Sequence, residues 1–244
     1  MPDLALLCSF PRSGSNFLQN IVRLNTRPRA VLCSSIYGYS SQNAQEQART
    51  GKAFFKTHAC DQAQLDTELA QLWNMGGRAY RHILLVRDPR DVMISLYDYI
   101  LGHRGVRLAP EHFLDTDFYW YLFKPDVLTV LRDENHARPL TVLEAYRLWV
   151  RTWFGGKGAQ ACCRLSYEHL LEQPQQGFAQ VFDVLAQPMP DPLSGLSELV
   201  AQYGESQRLR GKAQGWRLAE DLYRPIIEQV ESRLAEEIRI LGYA

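Results

Sequence analysis

Four short clusters in this chain combine residue types that could do chemistry. The first runs Ser9-Phe10-Pro11-Arg12-Ser13-Gly14-Ser15-Asn16-Phe17, a polar loop between an apolar run and a helical pattern. Gly14 can take backbone angles closed to other residues. The N–H groups of such a loop, together with the first helical turn and its dipole, make an anion site. Arg12 can add a bidentate contact to a phosphate, and Ser15 and Asn16 supply further donors. A nucleoside triphosphatase loop would carry a lysine and a hydroxyl residue after its second glycine. Here the basic residue precedes the only glycine. A short Gly loop taken alone can equally be an ordinary turn with a surface arginine.

The second cluster is Lys56-Thr57-His58, at the end of the apolar run that starts at Ala53. A histidine titrates near neutral pH, which suits it to take a proton from a hydroxyl or an amine. A lone histidine at a strand end can also do no more than cap a carbonyl. The third cluster is Val86-Arg87-Asp88-Pro89-Arg90-Asp91, continuing to Ser95. Arg87 ends an apolar run and Ser95 lies two helical turns further on, so both can reach one side of that junction. The competing reading is a surface ion-pair cluster of Arg87, Asp88, Arg90 and Asp91, which would contribute little to stability. The fourth is the basic, Gly-punctuated stretch Arg208-Leu209-Arg210-Gly211-Lys212, leading to Trp216.

Elements must hold these clusters in place. Leu4–Ser9, Ala53–Thr57, His82–Val86 and Ala161–Ser166 read as short, buried strands. Asn16–Leu24, Asp61–Trp73, a helix from Pro89, Thr141–Phe154 and Gln175–Leu185 carry helical spacing, with Leu65, Leu69 and Leu72 on one face of the second. Gln187–Pro192 reads as a linker, Gly204–Trp216 as a loop, and Ala219–Leu241 as one long closing helix. Alternating strands and helices predict a three-layer α/β/α fold with a central parallel sheet. In such sheets ligands bind beyond the carboxyl ends of the strands, where the first three clusters fall.

In order and residue type these segments resemble the PAPS-dependent sulfotransferases, in their cytosolic and bacterial branches. Pro11-Arg12-Ser13-Gly14-Ser15-Asn16-Phe17 is similar to that family's phosphosulfate loop, although the cytosolic enzymes carry lysine at Arg12 and tryptophan at Phe17. The resemblance implies that Arg12, Ser13, Gly14, Ser15 and Asn16 hold the 5′-phosphosulfate of 3′-phosphoadenosine 5′-phosphosulfate (PAPS). It implies that Phe17 and Tyr167 lie near the adenine. It further implies that Arg87 and Ser95 grip the 3′-phosphate and that Arg210, Gly211 and Lys212 close over the nucleotide. Lys56-Thr57-His58 matches the family's K-T-H, which makes His58 the general base, with Lys56 and Arg12 on the sulfuryl oxygens or the leaving phosphate. The expected activity is transfer of a sulfuryl group to a hydroxyl or amine of a small molecule, leaving adenosine 3′,5′-bisphosphate (PAP), with no metal. The other classes considered are a P-loop-type kinase of nucleotides or small molecules, and a catalytically silent nucleotide-binding protein.

The whole-chain properties agree with that expectation. The chain has 244 residues, with 27 Lys plus Arg against 27 Asp plus Glu, so its net charge gives no reason to expect nucleic-acid or membrane partners. The five cysteines have no metal-site spacing and read as reduced thiols. The opening apolar run is too short for a signal segment, and no stretch has transmembrane length, which predicts a cytoplasmic protein. One domain spanning 1–244 is expected, with 103–140 as a possible cap on the acceptor side. Phe113, Phe118, Tyr119, Trp120, Tyr121 and Phe123 of that stretch could border the acceptor pocket or form the cap's own core. Tyr37, Tyr39, His103 and His112 are further candidates for the acceptor side.

Overall fold

The structure is a computed structural model that describes residues 4–26, 31–35, 46, 51–77, 79–104, 108–118, 140–155, 163–205, 215–218 and 221–244. The chain divides into two compact units. One comprises Met1–Ala59, Leu65–Arg87 and Gln160–Ala213, and the other Cys60–Gln64, Asp88–Ala159 and Gln214–Ala244.

The first unit is built on a five-stranded parallel sheet of β1 (Leu4–Ser9), β2 (Leu32–Ser35), β3 (Ala53–Thr57), β4 (Arg81–Val86) and β5 (Cys163–Ser166), in the order β2-β3-β1-β4-β5. The central strand β1 is buried along its whole length. Burial on both faces is why it reads as a continuous apolar run rather than an alternating one. Ala5 and Leu7 face a core shared with Phe17, Leu18 and Ile21 of α1 (Ser15–Asn25), Leu170 of α5 (Tyr167–Glu172), and Phe178 and Phe182 of α6 (Pro174–Val184). The opposite face is covered in part by α2 (Gln62–Trp73), whose buried Glu68 accepts a hydrogen bond from Thr57 at the end of β3. Helices therefore lie on both faces, as the alternating pattern predicts.

The second unit is helical and contains α3 (Pro89–Arg104), α4 (Val142–Phe154), α8 (Arg224–Arg233) and α9 (Ala235–Leu241). Thr141 and Glu144 form a reciprocal capping box at the start of α4, satisfying two backbone donors. Phe113, Phe118, Tyr146, Trp149 and Trp153 are buried in this unit.

Three expectations need correction. The closing segment is not one helix: a 3-10 turn at Asp221–Tyr223 precedes α8, and the chain leaves helical geometry at Leu234 before α9. Pro225 falls in the first turn of α8, where its missing N–H costs nothing, so no helix can run through it from Ala219. Second, Gly204 belongs to a helix, α7 (Leu196–Glu205), and not to a loop that reaches Trp216. Third, a strand, β2, precedes Ala53–Thr57, which makes the latter the third strand. Tyr37, Tyr39, residues 119–139 and residues 206–214 lie outside the described residues.

Candidate active site

Because the sheet is parallel, the carboxyl ends of β3, β1 and β4 share one edge, with Cys8 paired to Thr57 and Ser9 to Leu85. Chain direction across the sheet diverges from β1, with β3 and β2 on one side and β4 and β5 on the other. That is where a crevice opens in folds of this kind.

The loop after β1 is tightly wound. Arg12 and Gly14 both have positive φ, at 71° and 94°, and the Ser13 N–H donates to the Phe10 carbonyl at 3.2 Å. Gly14 caps α1 in the left-handed conformation with no side-chain cap, and the first turn carries no acid. The first-turn N–H groups therefore face outward with a favourable dipole and no adjacent carboxylate. Glycine is required at 14 for a second reason: a Cβ there would lie 2.3 Å from Cδ2 of Tyr167. Tyr167 begins α5 immediately after its N-cap Ser166, and its ring is the floor under the loop. The same ring lies beneath the Arg87 guanidinium, 4.9 Å from the ring centroid, and Arg87 also donates to the Arg12 carbonyl at 3.4 Å.

Lys56 and His58 stand on the other side of β1. The Lys56 ammonium donates to the Asn16 side-chain oxygen in the first turn of α1. Burial lowers the Lys56 pKa, and the Arg12 charge lowers it further. The His58 ring contacts the Ser9 carbonyl through Nδ1 at 2.8 Å. A carbonyl can only accept, so Nδ1 carries the proton and Nε2 keeps its lone pair. Burial, then the Lys56 and Arg12 charges, push the His58 pKa down to about 4, against the pull of the Ser9 carbonyl. The imidazole is neutral at pH 7 as a result.

The remaining expected site residues are placed as follows. Ser13 and Ser15 are buried in the loop. Phe17 and Tyr167 are 1% and 3% exposed and meet edge to face, 5.9 Å between centroids. Both rings pack beneath the loop. Ser95 is buried on α3, in the second unit. Arg210, Gly211 and Lys212 lie outside the described residues. Among the described residues no His, Cys, Asp or Glu cluster could hold a metal ion, and no helix is long and apolar enough to cross a membrane.

Two features escaped the sequence reading. Glu68 is fully buried against Thr57, and the signal was present, because positions 65, 68, 69 and 72 share one helix face and three of them are leucine. In the second unit, Asp88, Arg90 and Asp91 are not a surface cluster. Asp91 accepts from the backbone N–H groups of Gly215 and Trp216, at 3.2 and 2.7 Å, and Asp88 accepts from the Trp216 indole at 3.0 Å. Both aspartates are at most 2% exposed.

The fold is a parallel α/β sheet with a wound loop after its central strand, uncapped by any side chain, and with Arg12, Lys56 and Arg87 around it. The chain belongs to the sulfotransferase domain family, which matches residues 2–205, and it is therefore a sulfuryl-group transferase rather than a kinase. Solved structures share its fold. Mouse sulfotransferase SULT7A1, complexed with PAP, is 15% identical over 99% of this chain and 89% of its own, with a TM-score of 0.62. Retinol dehydratase, in complex with androsterone and the inactive cofactor PAP, is 16% identical over 98% of this chain and 81% of its own, with a TM-score of 0.53. The sulfotransferase domain from the curacin biosynthetic pathway is 13% identical over 100% of this chain and 99% of its own, with a TM-score of 0.51. No curated protein matches it significantly in sequence.

Proposed function

We propose that this sulfotransferase takes its sulfuryl group from PAPS and passes it to a hydroxyl or amine of a small-molecule acceptor, with His58 as general base. One observation carries the reading. The ends of three adjacent strands bring Arg12, Lys56 and Arg87 to the edge where His58 presents an unprotonated Nε2.

The residues fit an anionic donor. Three cations, a helix start with no acid, and a buried Ser9 hydroxyl without a partner among the described residues form a donor-rich set. The donor supplies an electrophilic sulfur and a bisphosphate leaving group. The loop and Arg12 would hold the phosphosulfate, and Lys56 would stabilise charge on the sulfuryl oxygens or on the leaving 5′-phosphate. By resemblance, Arg87 and Ser95 would hold the 3′-phosphate, and Arg210, Gly211 and Lys212 would close over the nucleotide. His58 would take the acceptor proton at Nε2 while the Ser9 carbonyl keeps the imidazole in the required tautomer. Neutralising Lys56 and Arg12 with a dianion removes two of the causes that depress the His58 pKa, so its affinity for a proton rises where it is needed.

The test is incubation of the purified protein with PAPS and a panel of phenols, alcohols and amines. Mass spectrometry should show a product heavier by one sulfuryl group and acceptor-dependent release of PAP. Tight PAP binding with no transfer to any acceptor would leave a silent nucleotide-binding protein in its place.

A further inference from the structure

A carboxylate sealed in the core is costly unless its hydrogen bonds do something in return. Glu68 is 0% exposed, in the middle of α2, on the leucine face of the helix. Its Oε2 accepts the Thr57 hydroxyl at 2.8 Å. The Thr57 oxygen in turn accepts the Ala59 N–H at 3.0 Å. That second bond closes a side-chain turn from residue 57 to residue 59, with His58 at its centre. A hydroxyl has one proton and two lone pairs. Committing the proton to Glu68 turns a lone pair toward Ala59, which fixes the backbone on both sides of the histidine. The Ser9 carbonyl then fixes the ring.

We propose that Thr57 and Glu68 are positioning residues for His58. The Glu68–Thr57–Ala59 chain of hydrogen bonds holds its backbone so that Nδ1 reaches the Ser9 carbonyl and Nε2 keeps its lone pair. The inference rests on the reading of His58 as the base, and it extends that reading to a helix eleven residues further along the chain. Neither residue is asked to touch a substrate. Thr57 lies at the strand end and points to α2, on the sheet face opposite the α1 core.

The test uses the full chain labelled with ¹⁵N, and imidazole two-bond correlation spectra at pH 7. The wild type should show a neutral ring protonated at Nδ1, assigned to His58 by its loss in His58→Gln. Thr57→Val replaces the hydroxyl with a methyl of similar size and should give a mixed-tautomer pattern. Its turnover, with an acceptor identified by the panel, should fall about 10- to 100-fold, while PAP affinity stays within about twofold. Thr57→Ser and Glu68→Gln keep the donor and the acceptor, and should recover the single tautomer and most of the turnover. A single Nδ1 tautomer persisting in Thr57→Val overturns the proposal, as does a loss of PAP affinity in step with turnover. Turnover surviving in His58→Gln overturns the base assignment instead, and the tautomer pattern still judges the positioning.

Discussion

Arg87 and Arg90 stand three residues apart and keep different chemical company. Arg87, the last residue of its stretch of the first unit, meets a carbonyl oxygen and the face of Tyr167. Arg90, in the second unit, holds Asp88 in a two-pronged ion pair at 2.9 Å and reaches Glu231 and the Tyr243 carbonyl. It also lies over the Trp216 ring, 4.0 Å from its centroid. One arginine sits at a strand edge with Arg12 and Lys56. The other is saturated by the protein itself. The difference teaches that a cation's role follows from what its neighbours already satisfy. A run of alternating arginines and aspartates in sequence cannot show which arginine the Asp88 carboxylate holds.

Exchanging the two arginines in turn is the sharpest way to break this contrast. Arg90→Ala removes the cation paired with the buried Asp88 carboxylate and should cost about 3–5 kcal/mol of folding stability in denaturant titration. PAP affinity in that variant should change little. Arg87→Ala should do the reverse. Losing one charge-assisted contact to a phosphate, about 1.5–3 kcal/mol, should weaken PAP roughly 10- to 100-fold in calorimetry. Adenosine 5′-phosphosulfate, which lacks the 3′-phosphate, should bind the variant and the wild type alike. Equal losses for both ligands, or a collapse in stability, would erase the distinction between the two sites.

A pH series refines the same contrast. The His58 pKa is about 4 in the folded chain against 6.5 ordinarily. Between those values the unfolded chain binds a proton that the folded chain refuses, so stability falls as pH drops from 6.5 toward 4. The expected loss is about 3 kcal/mol, and His58→Gln should flatten that part of the curve. An unchanged slope in the variant would mean that the strand edge does not depress the imidazole.

The sheet was legible where burial on both faces wrote a continuous apolar run, as in Leu4–Ser9, Ala53–Thr57 and His82–Val86. It was not legible at β2, a four-residue edge strand reading Leu-Cys-Ser-Ser, whose polar half looks like a turn. The loop between β1 and α1 and the place of Lys56-Thr57-His58 at a strand end were legible because both follow from local sequence pattern. The contacts of Tyr167, Glu68 and Asp91 were not. Each depends on a contact between distant segments: Tyr167 beneath Gly14, Glu68 against Thr57, and Asp91 on the backbone of Gly215 and Trp216. The closing helix was misjudged because its apolar spacing continues through Pro225 and Leu234, although the backbone does not.

The ring of Tyr167 beneath Gly14 makes two remote positions behave as a single letter of the code. A library that varies either alone is spent largely on misfolded members, because a side chain at 14 has no room and a smaller residue at 167 leaves a hole. Engineering of this loop, for a new donor or a new acceptor, has to keep the pair intact, because the φ of 94° at Gly14 would strain any side chain there even beside a smaller residue at 167.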